Sequence, residues 1–239
     1  MIETVSNKYS IIVPTKNEEA TIENVLEKVK LMSDDVFIVD GHSTDKTCSI
    51  AKKHGIRVIL DNRLGKGDAI RVGLANAKNP ITVFIDADGS HDPEDIPLLV
   101  EPIIQNKADL VIGSRMTGGS DELFGSISEA VRLFGSVIIT LAINYRFNVR
   151  LTDYQNGFRA ISTDVGNAIK LKSNITTIEQ EMGMKCLKYG YKIMEIPAHE
   201  YRRKGGVSKI YVVRVGHKYV WSLLTGIFTL KSSLKKEVI

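Results

Sequence analysis

Two hydrophobic periods alternate along the first 113 residues. Short apolar runs, Tyr9–Pro14, Val36–Asp40, Arg57–Leu60, Ile81–Ile85 and Leu110–Gly113, read as buried strands. Between them apolar residues recur at helical spacing. Ala20–Met32 carries Ile22, Val25, Leu26 and Val29, and a second helix capped by Ser43 or Thr44 runs to His54. A third follows Gly65-Lys66-Gly67 and ends near Ala77, and a fourth spans Pro93–Asn106. Strands separated by helical patterns predict βαβ units, hence an α/β fold with a mostly parallel central sheet flanked by helices.

The rhythm changes after Gly113. A Gly/Ser-rich stretch, Thr117–Ser128, leads into a helix over Val131–Phe147, then a short strand at Phe158–Ile161. Two helices over residues 163–171 and 178–189, the strand Lys192–Pro197, the loop Arg202–Lys209 and an amphipathic helix over Tyr211–Leu230 complete the prediction. No stretch reaches the roughly 18–20 apolar residues of a membrane span. The most apolar segment, Tyr219–Leu230 between Lys218 and Lys231, has the form of a helix lying in a membrane interface or packed on a partner.

Charge sharpens this picture. The net charge of +4 conceals a split: residues 201–239 hold nine Lys/Arg and one acid, Glu237, whereas the first 200 hold 23 basic and 27 acidic groups. A basic tail on a mildly acidic body suits an anionic lipid surface or another polyanion. Nucleic acid is the weaker partner, since no aromatic-studded basic face accompanies the charge. Cys48 and Cys186, far apart in predicted helices, indicate a reduced compartment, and the N-terminal residues lack the pattern of a signal peptide.

The candidate chemistry sits where the strands end. Ile81–Ile85 runs into Asp86-Ala87-Asp88-Gly89-Ser90, and Asp92-Pro93 opens the next helix. Carboxylates at the C-terminal ends of parallel strands line the crevice where open α/β sheets bind ligands. Two hard oxygen donors one residue apart suit Mg²⁺ or Mn²⁺ shared with substrate phosphates. Pro14, Lys16 and Glu18 close the first strand, and Val39 and Asp40 the second, so all are expected in the same crevice. There Asp40 is suited to a ribose hydroxyl, or else it caps the turn that follows.

In order, VPTKNEE, VDGHSTDKT, GKGDAIRVGL, FIDADGSHDPED, VIGSR, DYQNGFRA and RKGGVSK resemble the blocks of inverting family 2 glycosyltransferases. They are most similar to the synthases of dolichyl-phosphate mannose and dolichyl-phosphate glucose. The resemblance, from Ile11 to Lys209, implies a GT-A fold that binds a nucleotide-diphosphate sugar. It assigns Pro14, Lys16, Glu18, Val39, Asp40, Lys66, Ala87 and Lys209 to the donor, and Asp86, Asp88 and Ser90 to the diphosphate-bound metal. Arg115, Arg132 and Arg203 match arginines gathered around the acceptor phosphate, and Glu181 a recurrent glutamate suited to orienting a sugar hydroxyl. The chain departs from many relatives at Gly41, where a nucleotide-contacting Asp is common, and at Lys16, where Tyr often stands. The hexose stays open between mannose and glucose types.

Residues 1–209 are thus expected to form the catalytic domain, with a nucleotide-sugar half (1–113) and an acceptor half (114–209). Residues 210–239 would form a basic amphipathic tail near the membrane. A dolichyl or polyprenyl phosphate acceptor fits the arginine set, because Arg forks onto phosphate and an anionic oxygen needs no general base. This predicts a peripheral protein on the cytoplasmic membrane face, with self-association or a membrane partner subunit left open. Two rivals remain: a soluble transferase acting on a hydroxyl with Glu181 or Asp153 as base, and a catalytically silent nucleotide-binding relative.

Overall fold

The computed structural model describes residues 8–122, 127–203 and 212–228. Among the described residues seven strands, β1 (Tyr9–Thr15), β2 (Asp35–Asp40), β3 (Arg57–Leu60), β4 (Ile81–Phe84), β5 (Leu110–Ser114), β6 (Arg159–Ser162) and β7 (Ile193–Pro197), form one sheet in the order β3-β2-β1-β4-β6-β5-β7. β1 pairs in parallel with β2 and β4, β2 with β3, and β5 with β7. β6 lies antiparallel between β4 and β5. The predicted, mostly parallel α/β architecture is therefore present.

Both faces are covered, which is why the strands read as continuous apolar runs. Ile11 and Val13 point to one face, packing with Ile22 and Leu26 of α1 (Ile22–Val29), Ala51 of α2 (Thr47–Lys53) and Leu99 of α4 (Ile96–Ile104). Ile12 points to the other, against Ile70 and Leu74 of α3 (Lys66–Asn76), Val165 of α7 (Thr163–Ala168) and Met182 of α8 (Ile178–Tyr189). Alternate residues facing opposite layers is the period of two that a strand imposes. Val39 belongs to the second layer and is fully buried. Its side chain is packed in the core, and it is not among the residues lining the cavity at the strand ends, so a contact with nucleotide would fall to its backbone.

A short turn of helix, α5 (Arg115–Gly118), follows β5. A third apolar cluster joins Ile139 and Ile143 of α6 (Ile127–Phe147), Tyr154, Met184 of α8 and Leu223 of α9 (Val212–Phe228). The described part of the C-terminal helix is thus packed onto the body. α6 also corrects the reading of apolar stretches. Its residues Glu129–Phe147, 19 in number, are long and apolar enough to cross a membrane by length and composition. Arg132 and Arg146 interrupt the run in sequence, which is why no uninterrupted span was legible.

The loop before α8 is tied to the N-terminus of α3. The Gly67 amide donates to the Asn174 carbonyl at 3.0 Å, and the Arg71 guanidinium donates to the Ser173 carbonyl and the Asn174 side chain. A Cβ on Gly67 would overlap the carbonyl of Ser173. Backbone cannot yield there as a side chain can, so Gly67→Ala is expected to cost about 2–3 kcal/mol, in the upper range for overpacking. Urea unfolding checks this, and an unchanged midpoint would mean the loop moves freely.

Candidate active site

The C-terminal ends of β1, β3 and β4 open into a cavity of about 320 Å³. Pro14, Lys16 and Glu18 of the β1 end, Gly41, Asp61 and Arg63, and Lys66, Asp86, Ala87, Asp88 and Arg203 line it together. Seven of the residues assigned to the donor or its metal meet here. Asp40 does not. It is fully buried, and its carboxylate accepts from the Ser43 amide at 2.8 Å, the Ser43 hydroxyl at 2.5 Å and the Thr15 hydroxyl at 3.2 Å. The ribose role is corrected to that of a turn cap, since its acceptor sites are already engaged. Asp61, one residue beyond β3, lines this cavity as a further acid; it also accepts from the Arg63 amide at 2.7 Å. The sequence hid it in Asp61-Asn62-Arg63, which reads as an ordinary turn.

Gly41 and Lys16 are coupled. A Cβ at Gly41 would stand 3.3 Å from Cδ of Lys16, so the missing side chain leaves room for the lysine stem. The two positions at which the chain departs from the resembled pattern are thus neighbours in space.

Each aspartate of the Asp86-Ala87-Asp88 segment has a basic neighbour. Lys66 Nζ is 2.8 Å from Asp86 Oδ1 and 3.0 Å from Glu179 Oε1. Burial works against the Lys66 ammonium, but Asp86 and Glu179 outweigh it and hold its pKa well above the usual lysine range. Burial likewise opposes the charge on Asp86, yet Lys66, His91 and Arg203 keep its carboxyl below the usual carboxylate range. Asp88 accepts from the Ser90 amide at 3.0 Å and lies 3.2 Å from Arg203 Nε. Gly157 makes the Lys66–Asp86 approach possible: a Cβ there would come 2.8 Å from Asp86 Oδ2 and 2.9 Å from Lys66 Nζ.

Two hard carboxylates one residue apart in a cavity that Lys16, Arg63, Lys66 and Arg203 also line fit a divalent metal that draws its remaining ligands from a diphosphate. Ser90 fits less well as a third ligand. It lines the neighbouring cavity, and its hydroxyl is 3.1 Å from His91 Nδ1.

That second cavity, about 440 Å³, shares Lys66, Asp86, Thr176 and Arg203 with the first. Arg115, Arg132 and Arg203, the three expected phosphate arginines, all line it. Arg115 forks onto Asp153 (Nε–Oδ2 2.6 Å, Nη2–Oδ1 3.0 Å) and approaches Glu200 at 3.3 Å. Burial disfavours its charge, but Asp153 and Glu200 raise its pKa. Asp153 is fully buried, and although burial opposes its ionisation, Arg115 holds its carboxyl below the usual range. Its place as a general base is thereby corrected: it is the arginine's counterion. Arg203 lies 3.5 Å from Glu122, and Arg132 4.0 Å from the same carboxylate. Arg202 is exposed, its amide donating to Asp121. Lys209 lies outside the described residues.

Glu181 is also corrected. Its carboxylate accepts from the Lys172 and Ser173 amides at 2.7–3.1 Å and pairs with Lys185 at 2.8 Å, lining neither cavity. Glu179, two residues earlier, lines the second cavity. It is 2% exposed, and its Oε2 has no hydrogen-bond partner among the described residues. Apolar walls from α6 (Val131, Ile138, Ile139) and α9 (Val220, Leu223) complete the cavity.

Residues 10–167 match the family described as Glycosyl transferase family 2. An uncharacterized protein of Methanocaldococcus jannaschii is 32% identical over 222 residues, 90% of either chain. The dolichyl-phosphate hexose transferase of Haloferax volcanii is 27% identical, covering 88% of this chain and 90% of its own. Among solved structures, glucosyl-3-phosphoglycerate synthase from Mycobacterium tuberculosis, in complex with Mn²⁺, UDP and glucosyl-3-phosphoglycerate, gives a TM-score of 0.73. That match covers 95% of this chain and 82% of the other at 22% identity, a likeness of fold. With acids and cations gathered at the strand ends of this GT-A sheet and the family match spanning most of the chain, the chain belongs to glycosyl transferase family 2 and is a glycosyltransferase.

Proposed function

We propose that this glycosyltransferase moves a hexose from a nucleotide-diphosphate sugar to a polyprenyl (dolichyl-type) phosphate, with inversion and with Mg²⁺ or Mn²⁺. The observation that carries the reading is the second cavity, where three arginines share one space with apolar walls from α6 and α9. A phosphate head on an isoprenoid tail has that same division. The name of the Haloferax volcanii relative supports the acceptor class.

The nucleotide lies in the first cavity, and its diphosphate reaches the junction formed by Lys66, Asp86, Asp88 and Arg203. Asp86 and Asp88 would hold the divalent metal, which when bound would neutralise charge on the departing diphosphate. Lys66 and Arg203 add fixed positive charge at the same place. The acceptor phosphate brings its own anionic oxygen, so the locking of Asp153 by Arg115 costs the reaction nothing. The buried Oε2 of Glu179 accepts a hydroxyl of the transferred sugar, the part expected of Glu181.

The tail of such an acceptor stays in the bilayer, and α6 and α9 present an apolar surface to it. Phe134, Leu141 and Tyr145 of α6 are 68%, 62% and 93% exposed, and Trp221 and Phe228 of α9 are 69% and 79% exposed. We place these helices in the headgroup region on the cytoplasmic face, with basic residues flanking them in sequence.

Transfer from radiolabelled nucleotide sugars is expected to put label into an organic-extractable product that mild acid releases. Label that stays in the aqueous phase with every polyprenyl phosphate would favour a soluble acceptor. Phe134→Glu combined with Leu141→Glu is expected to lower co-flotation with anionic vesicles at least tenfold. Transfer to a short, water-soluble prenyl phosphate should stay within about twofold. Undiminished flotation would mean another surface holds the membrane.

A further inference from the structure

We propose that His91 is a fourth phosphate-binding group of the acceptor cavity, its Nε2–H donating to an acceptor phosphate oxygen beside Arg115, Arg132 and Arg203. The inference rests on the lipid-phosphate reading and extends it to a residue that the arginine pattern does not contain.

His91 is 5% exposed, and its Nε2 is buried with no hydrogen-bond partner among the described residues. An orphaned buried ring nitrogen is costly, so native structures keep few without a partner or a use. The ring is held by two contacts. It stacks on Phe158 with centroids 5.0 Å apart at 22°, and Nδ1 lies 3.1 Å from the Ser90 hydroxyl. Ser90 is itself fixed: its amide donates to Asp88, and its carbonyl accepts from the Tyr201 amide at 2.8 Å. A ring so held has one nitrogen to offer. When the Ser90 hydroxyl donates to Nδ1, the proton resides on Nε2, which then serves as a donor.

The cavity decides what receives it. His91 lines the larger cavity with the three arginines and does not line the smaller one, where Asp88 sits. A ligand offered to Nε2 would therefore sit in the larger cavity; Asp86 and Glu200 line that space too, and the three arginines there are what favours an anion. Inorganic phosphate and a lipid phosphate share this chemistry. The apolar walls of the same cavity favour the lipid.

Two variants separate this role from packing. The side-chain nitrogen of Asn falls near Nδ1 of the histidine it replaces, and that of Gln near Nε2. Both lose the stacking on Phe158, but only Gln keeps a donor in place. Calorimetric titration with farnesyl phosphate, and separately with inorganic phosphate, is done on the full chain saturated with UDP and Mn²⁺. His91→Asn is expected to weaken farnesyl phosphate binding about tenfold or more, as for a lost hydrogen bond to a charged group. His91→Gln should recover most of that loss. Mn²⁺-dependent UDP binding should stay within twofold in both variants, with inorganic phosphate binding weaker than farnesyl phosphate throughout.

Equal farnesyl phosphate affinity in wild type and His91→Asn would overturn the role of His91 and leave the lipid-phosphate reading standing. Loss confined to Mn²⁺-dependent UDP binding would overturn it in favour of a metal-side role. A wild-type chain that binds neither phosphate would remove both the proposal and the reading beneath it.

Discussion

Asp88→Asn is expected to lower transfer by roughly a hundredfold to a thousandfold, as when a preorganised charge-stabilising group is removed from an active site. Asp88 offers its carboxylate to the donor cavity next to Arg203, at the place where a departing diphosphate needs positive charge. An amide cannot supply the anionic donor that a hard divalent ion prefers. The change should spare the fold. Asn keeps an oxygen for the Ser90 amide, and the two side chains differ little in volume. Thermal unfolding is therefore expected to show a cost of about 1 kcal/mol, the typical size for a point substitution, since Arg203 loses the charge of buried Asp88 but keeps Glu122 at 3.5 Å. Nucleoside diphosphate release in Mn²⁺ or Mg²⁺ measures the loss, and calorimetry of Mn²⁺-dependent nucleotide binding locates it. Turnover near wild type in saturating metal would exclude Asp88 as a metal ligand. Asp86→Asn should also be impaired, with a different signature: Lys66 would keep Glu179 as its one close carboxylate, so nucleotide binding should suffer even without metal.

The contrast between what the chain disclosed and what it withheld has physical causes. β1 to β5 were legible because a sheet covered on both faces writes each strand as an apolar run, and the chain order of βαβ units then sets which ends meet. Asp86 and Asp88 followed from that alone. Asp40 misled because a strand-end carboxylate can turn outward to ligand or inward to cap the next turn, and the spacing of Asp40 and Ser43 serves both. Glu179 and Glu181 show a limit of another kind. Two residues along a helix are about 200° apart around its axis, so choosing between them needs the phase of the helix against the cavity. Arg71 and Gly67 set that phase by anchoring the preceding loop from more than a hundred residues away, a contact no local pattern displays. α6 was underestimated because Arg132, which faces the cavity, breaks the apolar run in sequence while leaving the outer face of the helix apolar.

Arg115→Ala is expected to be the most damaging single change on the acceptor side, in stability as well as activity. It strands Asp153, fully buried, and Glu200, 6% exposed, without their shared cation. Removing one partner of a buried ion pair costs about 3–5 kcal/mol. At roughly 2–4 °C per kcal/mol for a chain of this size, the melting temperature should fall by about 6–20 °C. A loss of transfer in this variant alone could therefore reflect unfolding. Pairing it with Asp153→Asn resolves the two effects, because the neutral amide no longer needs the guanidinium. The double variant is expected to regain a large part of the lost stability and still bind polyprenyl phosphate at least tenfold more weakly than wild type. Arg115→Lys should fall between them, since an ammonium keeps the charge but cannot fork onto Asp153 while facing a phosphate. Should the double variant regain both melting temperature and acceptor affinity, Arg115 would be a brace for the segment around Asp153, and the phosphate would rest on Arg132 and Arg203.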